Sequence, residues 1–267
     1  MSNSLLPNDE YISKEPAAQF VVDLIEGWTC SLPPAVGAVA GTLPLYLDDR
    51  ATWAINLLSK GAKGKALSEL DMDVLELGPL EGAHSYMLEQ RGAKSVVAIE
   101  ANKRLFLKCL LVKELMDLKR VRFRLGDFMP YLATTKDRYD LVWCTGVLYH
   151  MPDPLALLHA VSRVTDRIHI WTHYVDETAL SQPWAAAITS VEERLFMGRP
   201  VKYYRRTYND AATAKTYCDG VYNEASWITK DEIIRQLKSD GFEKIETSFD
   251  KPNTNGPSFA LVAEKRR

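Results

Sequence analysis

Long apolar runs are scarce in this chain of 267 residues. The most apolar stretch, Leu32 to Leu47, is broken by Pro33, Pro34, Gly37, Gly41 and Pro44. It is too short and too interrupted to cross a bilayer, so no membrane association is expected. The amino terminus, MSNSLLPNDEYISKEP, lacks a basic region followed by an apolar stretch, and no secretory signal is expected. Cysteine is sparse as well. Cys30, Cys109, Cys144 and Cys218 are scattered, with no C-x-x-C pair and no histidine at metal-ligand spacing. Reduced thiols in a cytoplasmic protein, and no metal centre, are the expectation. Nor does one sign of charge prevail: 33 Lys and Arg face 35 Asp and Glu, a net charge of −2. Nothing in that balance attracts nucleic acid or an anionic surface in bulk, so nucleic acid is an unlikely partner. There is no internal repeat and no low-complexity tract.

What is present is a globular composition, 46% hydrophobic and 25% charged. It suffices for one large core, or one core with a modest appendage. QFVVDLIEGW (19–28) has helical spacing, and DDRATWAINLLSK (48–60) reads as a helix capped by Asp48 or Asp49. Residues 1–69 thus form a helical amino-terminal extension, expected to close a pocket with Trp28 and Trp53. From Asp73 strands and helices alternate. The strand-like runs are DVLEL (73–77), SVVAI (95–99), RVRFRL (120–125), YDLVWC (139–144) and RIHIWTH (167–173). Helices are expected at 80–90, 103–118 and 154–164, which argues for a mostly parallel sheet with helices on both faces. The end differs. TKDEIIRQLKSDGF reads as a helix capped by Thr229, and KIETSFD and FALVAEK follow with only KPNTNGPS between them, an antiparallel pair. Residues 174–227 fit neither pattern. They carry Trp184, Tyr203, Tyr204, Tyr208, Tyr217, Tyr222 and Trp227 with several basic residues, and read as a substrate-side insertion or lid.

The turn after the first strand is the most informative stretch. In DVLELGPLEGAHSY two glycines stand four positions apart, between a strand and a helix. Such a turn lets a ligand approach bare backbone near the positive end of a helix. The dinucleotide fingerprint needs a middle glycine that is missing here, and no Gly-Lys-Ser/Thr follows for a phosphate loop. Glu81 would also meet a pyrophosphate with like charge.

ELGPLEG, Glu76 to Gly82, resembles the first motif of class I S-adenosylmethionine-dependent methyltransferases: an acid, one residue, a glycine, three residues and a glycine. The resemblance continues in order. VVAIEAN puts Glu100 after the second strand, LGDF puts Asp127 and Phe128 after the third, and YDLVWCTGVLYHMPDP resembles the fourth motif. It implies a Rossmann-like fold whose seven-stranded sheet ends in an antiparallel strand, over residues 70–267. It also implies S-adenosyl-L-methionine as cofactor. Glu76, Gly78 and Gly82 would serve the methionine half. Glu100 would take both ribose hydroxyls, and Asp127 and Phe128 would hold the adenine. Cys144 lies in the fourth motif beside the cofactor. A cationic sulfonium suits a turn containing Glu81 better than a diphosphate would. GVLYH is further similar to enzymes that carboxymethylate the tRNA wobble uridine, a kinship with no shared substrate inferred.

Methyl transfer to carbon, nitrogen, oxygen or sulfur can rest largely on positioning, and a general base is needed only for a protonated nucleophile. The best candidate base is His150, with Tyr149 beside it better suited to contact the cofactor than to catalyse; His173, at the end of the fifth strand, is on the same edge. His84 either faces the cofactor's carboxylate or faces solvent. Lys108, on an otherwise apolar helix face, is expected to snorkel along the surface. A small-molecule acceptor is the favoured substrate. Methylation of RNA or protein predicts a basic groove beside the pocket, and a non-catalytic cofactor-binding regulator predicts an occluded one. A nicotinamide oxidoreductase is disfavoured by the turn and the terminal hairpin.

Overall fold

The computed structural model describes residues 11–59, 70–207 and 220–266. Two helices precede the sheet, α1 (Ala18–Asp23) and α2 (Asp49–Ser59). The alternating region follows as β1 (Asp73–Leu77), α3 (Ala83–Gln90), β2 (Ser95–Glu100), α4 (Lys103–Leu115) and β3 (Val121–Leu125). Next come α5 (Phe128–Thr134), β4 (Leu141–Thr145), α6 (Pro154–Ser162) and β5 (Arg167–His173). The rest is β6 (Ile188–Phe196), β7 (Arg199–Thr207), β8 (Glu224–Trp227), α7 (Lys230–Ser239), β9 (Phe242–Lys251) and β10 (Ser258–Lys265).

Seven strands form one sheet in the order β3-β2-β1-β4-β5-β10-β9. The first five are parallel, and β10 runs antiparallel to both β5 and β9. The chain winds outward from β1 to β3, then crosses back to lay β4 on the other side of β1. The carboxyl ends of β1 and β4 therefore border the crevice where ligands bind in open sheets of this kind. Buried apolar clusters cover both faces. One gathers Leu75, Val142, Ile168 and Leu261 with α5 to α7; the other gathers Val74, Val96, Leu141 and Trp143 with α2 to α4.

Several expected boundaries moved for local reasons. α3 begins at Ala83 because Gly78, Leu80 and Gly82 all have positive φ, a backbone no helix can include. α1 stops at Asp23, and the chain turns so that the Trp28 indole donates to the Val22 carbonyl. α5 was hidden by Pro130, which a helix tolerates in its first turn. Residues 188–227 contain a second sheet, ordered β6-β7-β8. Tyr208 and Tyr217 lie outside the described residues. Among the described residues no helix is long and apolar enough to cross a membrane.

Lys108 corrects an expectation. It is 1% exposed, and its ammonium donates to Glu81 Oε1 at 2.8 Å and to the Gly27 carbonyl. Glu81, fully buried, also accepts the backbone N–H of Thr29 at 2.9 Å and of Cys30 at 2.7 Å. The acid of the turn therefore points away from the crevice and clamps residues 27–30 onto the domain. Gly41 closes the same loop: a side chain there would meet the Thr29 carbonyl carbon and oxygen at 2.2 Å. Removing one partner of a buried ion pair strands the other charge, at a cost of about 3–5 kcal/mol. Lys108→Met should lose stability on that order in urea unfolding, and Glu81→Gln added to it should recover much of the loss. A loss under about 1 kcal/mol for the single variant would contradict the clamp.

Candidate functional site

The glycine turn is drawn tight over the end of β1. The Gly78 N–H donates to the Ile99 carbonyl at 3.0 Å, and Gly82 N–H to the Pro79 carbonyl at 2.8 Å. A side chain at Gly78 would press on Val147 at 3.1 Å, so this position needs glycine for both its φ and its space. Glu100 at the end of β2 is 6% exposed. Its Oε2 accepts from Leu80 N at 3.2 Å and its Oε1 from Asn102 N at 2.8 Å. The Ala101 backbone N–H supports it too, so the carboxylate is aimed by backbone and keeps acceptor capacity for a hydroxyl. Burial pushes Glu100 up to about 7 against those backbone bonds. Glu76 is buried, is pushed up to about 7 by burial, and accepts the Ser85 hydroxyl.

Asp127 caps α5, its Oδ1 accepting from Met129 N at 2.8 Å. Phe128 is buried in the core beside Leu75 and Ile99. Cys144 lies in that same core, on the sheet face opposite Trp143, and burial pushes its thiol up to about 12. An inert buried thiol is a packing group.

His84 faces neither solvent nor crevice. Its Nδ1 accepts from the Trp143 indole at 3.3 Å, and its Nε2 meets Asp48 Oδ2 at 3.0 Å. Because an indole only donates, the ring proton is on Nε2 and points at Asp48. Asp48 also takes Arg50 through Nε at 2.8 Å and Nη2 at 2.6 Å. Burial alone would raise Asp48, but the bonds from His84 and Arg50 outweigh it and hold the carboxyl well below its usual range. The Arg50 guanidinium lies over the Trp171 ring, 4.1 Å from its centroid. Through this relay the amino-terminal segment reaches the carboxyl end of β5. Trp28 instead packs under Lys108, and Trp53 contacts His169 and Phe249.

The three candidate catalytic residues converge. The Tyr149 ring is 4.2 Å from that of His150 and 4.9 Å from that of His173. His173 stacks on Trp227 at 5.2 Å with the planes 4° apart, and Trp184 stacks on the far indole at 6.1 Å. Trp171 closes the group 5.2 Å from His173, and Arg206 lies 3.9 Å over Trp227. Burial lowers His150 to about 3, with His173 and Arg206 adding to it, and burial likewise lowers His173. Both rings are neutral near pH 7. Trp171 was legible in principle, since it shares a face of β5 with His173 by alternation. Asp48 and Arg50 carried no signal beyond a helix start. Among the described residues no cluster of three or more His, Cys, Asp or Glu could hold a metal ion.

Residues 75–167 match the family model described as a methyltransferase domain. Among solved structures, the N-terminal domain of EvdMO1, determined with SAH and D-fucose, is 23% identical with a TM-score of 0.67. The alignment covers 93% of this chain and 95% of that one. Magnesium protoporphyrin IX methyltransferase (ChlM) from Synechocystis PCC 6803, with bound SAH, is 17% identical with a TM-score of 0.53, covering 81% and 82%. The Burkholderia thailandensis 1,6-didemethyltoxoflavin-N1-methyltransferase is 15% identical with a TM-score of 0.51, covering 83% and 80%. No curated protein matches the sequence. These likenesses establish the fold, and the family model places a methyltransferase domain across β1 to the start of β5.

Glu76 has a sign that can be checked. Its folded value of about 7 stands above the ordinary 4.5, so the protonated form is favoured by folding. That contribution is complete below about 4.5 and lost as pH rises through about 7. Glu76→Gln keeps the shape without the buried charge. It should match the wild type in thermal melts at pH 5 and exceed it at pH 8, by at most about 3 kcal/mol.

Proposed function

We propose that this class I S-adenosylmethionine-dependent methyltransferase methylates a hydroxyl of a small, sugar-like acceptor. The observation that carries the reading is the wall of rings at the carboxyl ends of β4 and β5. Tyr149, Trp171 and Trp227 surround a buried, neutral His173. Indole and phenol faces suit the C–H faces of a sugar ring, and a neutral imidazole among them can take a hydroxyl proton. The D-fucose in the EvdMO1 structure supports the same class of acceptor.

The cofactor half fits by its donor set. When bound, S-adenosylmethionine supplies an electrophilic methyl on a cationic sulfonium. Glu100 would take the ribose hydroxyls with the acceptor capacity its backbone partners leave open. Asp127 would accept the adenine amine with its Oδ2, the oxygen that does not cap α5. Gly78 gives the methionine half its close approach to bare backbone, and Glu76 fixes the base of the turn through Ser85. His173 holds the acceptor's hydroxyl and receives its proton. Tyr149 shapes the pocket between the two histidines, and His150 packs against its ring. The work left to the protein is orientation, exclusion of water and this one proton transfer.

Transfer of labelled methyl from the cofactor to a panel of monosaccharides that includes D-fucose tests the acceptor class. Label in a sugar ether is expected; label only in amines, proteins or RNA would reject the reading. His173→Gln should lower kcat by about 10²–10⁴-fold with cofactor affinity retained. Because burial lowers His173, the acid limb of the pH–rate profile should fall below the ordinary histidine range near 6.5. Glu100→Ala should lose most cofactor affinity by calorimetry. In the wild type, affinity should decline as pH falls below about 7, where the carboxylate acquires a proton and loses an acceptor.

A further inference from the structure

The turn between β9 and β10 does more than join two strands. The His173 Nδ1 lies 2.9 Å from the Gly256 carbonyl oxygen and 3.3 Å from that of Pro257. A carbonyl can only accept, so the ring proton must be on Nδ1, which leaves the lone pair on Nε2. Gly256 is also where the indoles close. A side chain there would meet Trp227 at 2.6 and 2.9 Å and Trp184 at 3.5 Å. Its φ of +114 is one that side-chain-bearing residues rarely adopt. The same backbone unit therefore sets the proton of the imidazole and the position of the ring stacked on it.

The turn is fixed from both sides. Gly256 N–H donates to the Asn253 carbonyl at 3.0 Å, and the Asn253 side chain accepts from Asn255 N at 3.2 Å. Tyr174 N–H donates to the Pro257 carbonyl at 3.1 Å, and Ser258 pairs with His173 in the ladder. Trp227 is pinned in turn by its indole, which donates to the Tyr149 carbonyl at 3.0 Å.

We propose that Gly256, with the turn capped by Asn253, is a positioning residue: its carbonyl locks His173 as the Nδ1–H tautomer with Nε2 facing the acceptor. This rests on the reading of His173 as the base. In that step the acceptor oxygen bonds to the methyl carbon as the carbon–sulfur bond of the sulfonium breaks, both electrons leaving on sulfur. The hydroxyl proton passes to Nε2 and then to solvent. The charged and titratable groups facing the ring are Arg50 from α2, Tyr149 and His150 from the 148–150 turn, and Arg206 from β7. The Gly256 and Pro257 carbonyls of the turn satisfy Nδ1.

Nitrogen NMR of the protein labelled in histidine reads the tautomer without any acceptor, so its outcome is separate from that of the sugar assay. The His173 signals, identified by their loss in His173→Gln, should show a protonated Nδ1 and a bare Nε2 at pH 7.5. An Nε2–H tautomer or an imidazolium there overturns the proposal. Gly256→Ala should abolish the single tautomer. Asn253→Ala, an exposed change that leaves the core intact, should broaden or mix it and lower kcat on D-fucose, with cofactor affinity and thermal stability unchanged. A tautomer untouched in Asn253→Ala and in folded Gly256→Ala would also overturn it.

Discussion

The buried Glu81–Lys108 pair is the contact on which the remaining architecture hangs. A carboxylate with no exposure accepts two backbone N–H groups and an ammonium, and the ammonium in turn holds the Gly27 carbonyl. Such pairs add little net stability, since the desolvation of both charges offsets their attraction. Their value is in register. Here the pair ties three separate parts of the chain together: residues 27–30, the glycine turn and α4. With that segment clamped, Asp48 can reach His84 and Arg50 can lie on Trp171. The segment from Gly27 to Arg50 is thus tied to the glycine turn, to α4 and to Trp171 of β5.

The two halves of the crevice are built on different physical terms. The turn side uses backbone: glycines at positive φ, and a carboxylate aimed by N–H groups from two elements. The opposite side uses rings, drawn from the 148–150 turn, β5 and β8, with the residues before β6 behind them. Backbone geometry fixes polar groups within tenths of an ångström. Stacked rings present shape and dryness, and they keep both histidines neutral at physiological pH by excluding water.

The alternating strands and helices, the terminal hairpin and the placement of Glu100 and Asp127 were legible because period, capping and spacing are local properties of a sequence. Tyr149, His150 and His173 were legible as residues at strand ends, and the structure brings their rings together. Other features depend on distant partners. Lys108 reads as a surface lysine until its acid, 27 positions away, is known to be buried beside it. Glu81 reads as part of a ligand turn until Thr29 and Cys30 are seen to claim it. Cys144 falls in one core cluster because alternation along β4 puts it on one face of the sheet and Trp143 in the cluster on the other. The β6-β7-β8 sheet was missed because its outer strand, exposed along much of its length, lacks an inward apolar row.

Inserting β10 antiparallel between β5 and β9 decides at which edge of the sheet its preceding turn lies. A sheet made only of parallel strands would have every loop that enters a strand at the edge away from the crevice. The reversed strand instead enters from the crevice edge, so the turn that precedes it arrives beside His173. The connection between β9 and β10 is thereby delivered to the ring cluster around His173. The hairpin of β9 and β10 can vary the chemistry of that wall without disturbing the turn over β1, which lies three strands from β10 in the sheet. Reversing one strand separates the two tasks of the crevice along the polypeptide.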